Sequence, residues 1–82
     1  MSSKIGFKVN DIVFMIDKNK NSILTDNKFI IRSIEVENGD GFEETYYAYL
    51  EDIDSGVTER KMIIYKHFGY NWNYVYISKT TL

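Results

Sequence analysis

Nine carboxylates and no basic side chain fall within residues 35–59: Glu35, Glu37, Asp40, Glu43, Glu44, Glu51, Asp52, Asp54 and Glu59. Clustered carboxylates serve acid–base catalysis, metal binding or recognition of cations, and their spacing separates these uses. Glu43 and Glu44 are adjacent, so in a strand they point to opposite faces and cannot act as a paired acid and base. The stretch "DIDSGVTE", residues 52–59, begins like a calcium loop. Such a loop needs Gly sixth and a bidentate Glu twelfth, whereas Gly56 is fifth and Glu59 eighth here. A plain hairpin turn is the expectation. The chain has one histidine, His67, and no cysteine, so no thiolate or all-imidazole metal site can form. His67 beside Phe68 reads as a turn residue or a partly buried filler, with no nucleophile, base and orienting group arranged around it. The chemistry left is recognition: no enzyme, no cofactor and no metal are expected.

The charge is distributed in blocks. Residues 1–34 carry six basic and three acidic side chains, residues 35–59 the nine carboxylates, and residues 60–82 four basic ones. An acidic block can simply keep two hairpin tips solvated and blunt the edges of a small sheet. It can also form a rigid carboxylate surface that draws in a basic partner electrostatically. The second use assigns partner contacts to Glu35, Glu37, Glu43, Glu44, Glu51, Asp52 and Asp54, with Tyr47 and Tyr49 as the aromatic anchors typical of interface hot spots.

The second dense feature is "YKHFGYNWNYVYISK", residues 65–79, which holds six of the chain's thirteen Phe, Tyr and Trp residues. Strand alternation sets Trp72, Tyr74 and Tyr76 against Asn73, Val75 and Ile77. The ring set is expected to be core or a subunit interface in a possible homo-oligomer, ahead of a ligand platform. The competing function is a small barrel binding single-stranded nucleic acid, with Trp72, Tyr74 and Tyr76 stacking on bases and Lys61, Lys66 and Lys79 neutralising phosphate. Three lysines make a poor phosphate track, and the acidic block repels a polyanion, so direct nucleic-acid binding is disfavoured.

Short apolar runs rich in Ile, Val and aromatics must position these groups. The runs are separated by Gly, Asn and Asp clusters, which predicts an all-β chain. "DIVFMI" (residues 11–16) leads into a polar tip, "DKNKNS". "KFIIRSIEV" (residues 28–36) follows, with Ile30, Ile34 and Val36 as the expected core face. "ENGDGF" carries Asn-Gly and Asp-Gly, the firmest turn signal in the chain. "ETYYAYL" places Tyr46, Ala48 and Leu50 opposite Thr45, Tyr47 and Tyr49. "VTERKMIIY" passes from charged to apolar, and a short helical turn is possible over residues 64–68. "WNYVYIS" forms the fifth run after a turn suited to Gly69 and Asn71. At 82 residues, five such strands make one small domain, a five-stranded SH3-like barrel or a strongly bent antiparallel sheet. The start lacks the pattern of a secretory signal and no run reaches 18 apolar residues, so a soluble cytoplasmic protein is expected, with no membrane partner.

"FKVNDIVFMID", "KFIIRSIEV" and "YYAYL" together resemble the small SH3-like barrel proteins of prophages and mobile elements in low-GC Gram-positive bacteria. In that pattern an apolar-x-Val-Gly-Asp-x-Val opening leads into a strand. Asn10 stands here in the place of the Gly, followed by Asp11 and Val13, and Asn also tolerates the left-handed conformation. The resemblance spans about residues 7–50 and implies a barrel without catalytic residues. It also implies an accessory protein, of which some block host defence by binding another protein. Enrichment in Ile, Asn, Lys and Tyr, with one Ala and no Pro, agrees with a low-GC source.

Overall fold

The computed structural model describes residues 5–39, 41–70 and 72–79. Asp40 of the acidic block and Asn71 of the expected last turn lie outside the described residues. The chain is all-β: β1 (Ile12–Asp17), β2 (Ser22–Asn38), β3 (Glu43–Asp52), β4 (Thr58–His67), β5 (Trp72–Val75) and β6 (Ile77–Lys79), with one 3₁₀ turn, Phe68–Tyr70, before β5. All pairings are antiparallel, in one sheet of order β5-β4-β3-β2-β1-β6. Among the described residues no helix is long and apolar enough to cross a membrane.

The fifth apolar run is thus two strands at opposite ends of the pairing order. Only Tyr76 separates them, and its backbone serves both. Its N–H donates to the Ile63 carbonyl at 2.9 Å and its carbonyl accepts the Ile16 N–H at 2.8 Å. A sheet whose two ends meet at one residue must bend strongly, which makes one face concave. The helical turn expected over residues 64–68 appears slightly later, as the 3₁₀ turn.

Turn chemistry follows the sequence closely. Asp17 Oδ1 accepts the Asn19 N–H at 3.0 Å, closing the first tip with Asn21 at φ 51°. Gly39 N–H donates to the Glu43 carbonyl at 2.9 Å, and Gly41 takes φ 84° in the Asn-Gly/Asp-Gly turn. Asn10 is left-handed at φ 78°, a conformation that Asn tolerates, and its N–H donates to the Ile31 carbonyl at 2.8 Å. Residues 22–27, apolar only at Ile23 and Leu24, extend β2 well beyond the run read from alternation, because Ser22, Ile23 and Leu24 pair with Asp17, Ile16 and Met15 of β1 before the register shifts and resumes at Phe29↔Val13.

The concave face holds the core: Val13, Ile31, Ala48, Leu50, Ile63, Ile64 and Ile77 are buried, with Phe7 closing over them. Alternation alone misplaces two strands. In β2 the pairing with β3 passes from Ile31↔Leu50 to Ser33↔Tyr49, so Arg32 is an extra residue and the inward parity changes there. Ile31 before the bulge and Ile34 after it both face inward, whereas Ile30 lies opposite Glu51 on the convex face. The expected Ile30, Ile34 and Val36 core face is therefore incorrect: Ile31 is fully buried and Val36 is 50 % exposed. A second bulge at Ile63, between Tyr46↔Ile64 and Tyr47↔Met62, buries two consecutive isoleucines. In the last run Val75 and Ile77 point to the core while Trp72 and Tyr74 stay 49 % and 40 % exposed, so the aromatic set is not core.

Truncating a fully buried isoleucine removes apolar contact and leaves a cavity. Ile31→Ala is expected to cost about 2–5 kcal/mol in urea unfolding. Val36→Ala, on the exposed end of the set that alternation favours, is expected to cost about 0.5 kcal/mol or less.

Candidate interaction face

Residues directly opposite one another in an antiparallel pair share a face, so the register maps the convex surface row by row. Ser33, Tyr49 and Arg60 form one row, followed by Glu35, Tyr47 and Met62. Glu37, Thr45, Tyr65 and Tyr74 form the next, and Glu43, His67 and Trp72 the last. A carboxylate edge on β2 and β3 thereby continues into aromatic rings on β4 and β5. Tyr70, from the 3₁₀ turn, joins the ring end.

Each charge on this face has a definite partner. The Arg60 guanidinium donates from Nε to Glu35 Oε1 at 3.0 Å and from Nη2 to Glu37 Oε2 at 2.8 Å. Its Cζ lies 3.8 Å from the centroid of the Tyr47 ring. A guanidinium over a ring face with two carboxylates on its donors is an arrangement that cation–π attraction and charge-assisted hydrogen bonding both favour. These bonds, Glu35 foremost, raise the Arg60 pKa further. All three groups are substantially solvated, so the cluster orders the surface more than it stabilises the fold. Glu51 lies farther along the same face and pairs with Arg32 at 3.4 Å.

At the aromatic end Tyr65 Oη–H donates to Glu43 Oε2 at 2.8 Å. That bond is the main cause holding the Tyr65 phenol above its ordinary pKa, with desolvation second. A Cβ on Gly39 would come within 2.5 Å of Glu43 Oε1, so the small residue in the turn leaves room for this carboxylate. The rings form a continuous row: Tyr65–Tyr74 at 6.3 Å, His67–Trp72 at 6.0 Å, Trp72–Tyr74 at 5.8 Å, Tyr70–Trp72 at 5.4 Å and His67–Tyr70 at 4.8 Å between centroids. His67 packs among them and against Gly69, with its Nδ1 buried and without a hydrogen-bond partner. Lys18, from the tip between β1 and β2, reaches over Tyr74 and Tyr76 at 5.9 and 5.5 Å.

The register thus brings Glu35, Glu37, Glu43, Glu51, Tyr47 and Tyr49 onto one face and separates the remaining expected contacts from them. Glu44 points to the opposite face, where it accepts the Tyr46 hydroxyl at 3.2 Å and lies opposite Lys66. Burial first, and then that bond, raises the Tyr46 pKa. Asp52 and Asp54 belong to the turn between β3 and β4. Asp52 Oδ1 accepts the Asp54 N–H at 2.9 Å and Oδ2 accepts Asn27 Nδ2 at 2.8 Å, and the Asn27 bond is the largest cause of its lowered pKa. The block is also less naked than composition suggests, since Arg60, Arg32 and Lys61 pair with Glu35, Glu37, Glu51 and Glu59.

Of the lysines of the nucleic-acid reading, Lys66 lines a shallow cleft together with Trp72, and all three have contacts of their own elsewhere. Lys61 pairs with Glu59 at 3.0 Å, Lys66 lies over Tyr46 on the concave side, and Lys79 pairs with Asp11 at 3.5 Å. A cation that lies over the rings themselves, Lys18, comes from a tip that alternation treats only as a loop. A separate cleft of about 390 Å³ has Met15, Phe29 and Leu50 in its walls and Asp52, Glu59 and Lys61 among its polar groups. Those polar groups already satisfy one another or the adjoining turn. Comparison with protein-family models, with curated proteins and with solved structures finds no match.

The Tyr65–Glu43 bond has a pH signature. The pair favours the protonated phenol, so its contribution to stability is complete below the ordinary tyrosine pKa and is lost as pH rises through the raised one. In an NMR titration Tyr65 should ionise above the ordinary tyrosine range. Glu43→Gln should bring Tyr65 down while leaving the raised Tyr46 in place.

Proposed function

We propose that this chain is a non-enzymatic protein-interaction module that engages a basic surface of another protein through the convex face of β2–β5. The observation that carries this reading is the juxtaposition on one rigid face of Glu35, Glu37 and Glu43 with Tyr47, Tyr65, Trp72 and Tyr74. Carboxylates steer a basic partner and set register, while large rings with polar tips supply buried contact area. Glu51 and Tyr49 extend the contact toward the β3–β4 turn. Glu44, Asp52 and Asp54 are left out of it, because they face elsewhere or are held by local hydrogen bonds.

The same proposal takes the bent sheet as a small SH3-like barrel. Support comes from the last run, which shares its backbone between β4 and β1 through Tyr76, from the 3₁₀ turn preceding it, and from left-handed Asn10 in the opening motif. With the resemblance to prophage proteins, this favours a cytoplasmic accessory protein that blocks a nucleic-acid-binding or host-defence protein by covering its basic surface. Exposure of Trp72 and Tyr74 keeps single-stranded nucleic acid as the second reading.

Glu43 and Glu44 make a matched test, because they are neighbours on opposite faces and each accepts a tyrosine hydroxyl. The immobilised chain is expected to retain a basic protein from lysate of its source organism, and to release it as salt rises. Glu43→Lys should abolish retention and Glu44→Lys should preserve it. Equal retention by both variants, or retention insensitive to salt, would count against the reading. Salt-sensitive binding of a single-stranded oligonucleotide by the wild-type chain would favour the second one.

A further inference from the structure

We infer that Glu43, Tyr65, His67 and Trp72 form a receptor for an arginine side chain supplied by the partner. This deepens the proposed function and rests on it. The convex face already displays the required chemistry once within the chain, at Arg60: a guanidinium whose Cζ lies over the Tyr47 ring, 3.8 Å from its centroid, with its donors on Glu35 and Glu37. At the other margin Lys18 lies over Tyr74 and Tyr76. Beyond both, at the end of the face, lies a stretch of the same composition, a carboxylate at the head of a ring row. Among the described residues, no basic side chain forms an ion pair with Glu43 or lies over the Tyr65, His67 or Trp72 ring.

The geometry suits a planar cation better than an ammonium. Glu43 Oε2 uses one acceptor direction on the Tyr65 hydroxyl, and a carboxylate offers about four, so capacity remains for a fork of N–H donors. That hydroxyl bond also fixes the carboxylate at the head of the row, which lowers the ordering cost of receiving a ligand. Trp72, 49 % exposed, presents a broad ring surface two strands from Glu43, with His67 between them in the same cross-strand row. A guanidinium can stack on a ring while its edge meets the carboxylate, whereas an ammonium has no plane to stack. A nucleobase could occupy the rings, but its phosphates would then lie against Glu43, Glu35 and Glu37, the adverse arrangement for a polyanion. The favoured occupant is therefore an exposed arginine in a basic segment of a partner protein.

The chain's single tryptophan lies in this site, so its fluorescence reports occupancy directly. The wild-type chain is titrated with a short Arg-Gly-Ser repeat peptide and with its Lys-Gly-Ser counterpart, followed by both fluorescence and amide chemical shifts. The arginine peptide should bind saturably and shift Glu43, Tyr65, His67 and Trp72, with the lysine peptide weaker by about tenfold. Glu43→Gln should weaken the arginine peptide by about tenfold or more. Glu44→Gln, on the other face, should not, and urea unfolding of both variants verifies that they are folded. Equal affinity for the two peptides would overturn the guanidinium site while leaving the basic-partner reading in place. If neither peptide binds, the receptor is overturned, and the fate of the broader reading is decided by the Glu43→Lys retention experiment. Two further results would also overturn it: a concentration-dependent dimer that shifts these same residues without peptide, or tighter binding of a single-stranded oligonucleotide to them.

Discussion

The backbone of Tyr76 is shared between β4 and β1, two strands separated by β3 and β2 in the pairing order. Its N–H and carbonyl are satisfied by Ile63 and Ile16, so the sheet can keep both bonds only by curving until its ends meet. Curvature gives the sheet two unlike faces. On the concave side Val13, Ile31, Ala48, Leu50, Ile63, Ile64 and Ile77 approach closely enough to exclude water. The convex side splays its side chains outward, where they touch along rows but stay wet. A chain of 82 residues with no cysteine has no disulfide to fall back on, and burial on the concave side must offset its conformational entropy.

The two bulges refine this division. An extra residue in an antiparallel strand reverses which positions face inward beyond it. At Arg32 the reversal places Ile31 and Ile34 in the core and releases Glu35 and Glu37 to the convex face on either side of the Arg60 guanidinium. At Ile63 it buries two successive isoleucines and leaves Arg60 and Met62 outward before the bulge and Tyr65 and His67 outward after it. The acidic edge and the ring row share one face because both strands change parity against β3, one beside Leu50 and Tyr49 and the other beside Tyr47 and Tyr46. Without the bulges, the carboxylates of β2 and the aromatics of β4 would project to different sides at one end of the face.

Much of the framework was readable from residue types. The Asn-Gly/Asp-Gly turn, the polar tip after Asp17, the turn at Asp52 and the alternation of Tyr46, Ala48 and Leu50 depend on local backbone preferences, which neighbouring residues determine. The ring row was legible as a pattern but not in its orientation. Three rings on one side of a strand and Val75 and Ile77 on the other fit either burial, and the choice falls to the branched set because Val75 lies opposite Ile64 on the concave side. The site was legible in part for a related reason. Composition marks residues 35–59 as acidic, yet it cannot show that Glu43 and Glu44 diverge or that Asp52 is committed to its own turn. The place of Lys18 was not legible, because nothing local in "DKNKNS" points to rings at Tyr74 and Tyr76, far along the chain.

What the sequence determined by itself was the class of the molecule and the inventory of its surface. Short branched and aromatic runs punctuated by turn residues specify antiparallel strands, and the residue types list the charges and rings that the chain carries. Only the tertiary structure decided which of these residues meet. Register, bulges and the two-sided pairing at Tyr76 are non-local: each is set by which strands bury the most apolar surface together, a property no single segment carries. That is why Arg60 finds Glu35 and Glu37 from more than twenty residues away, why Tyr65 finds Glu43, and why the acidic block divides between a face, its reverse and a turn.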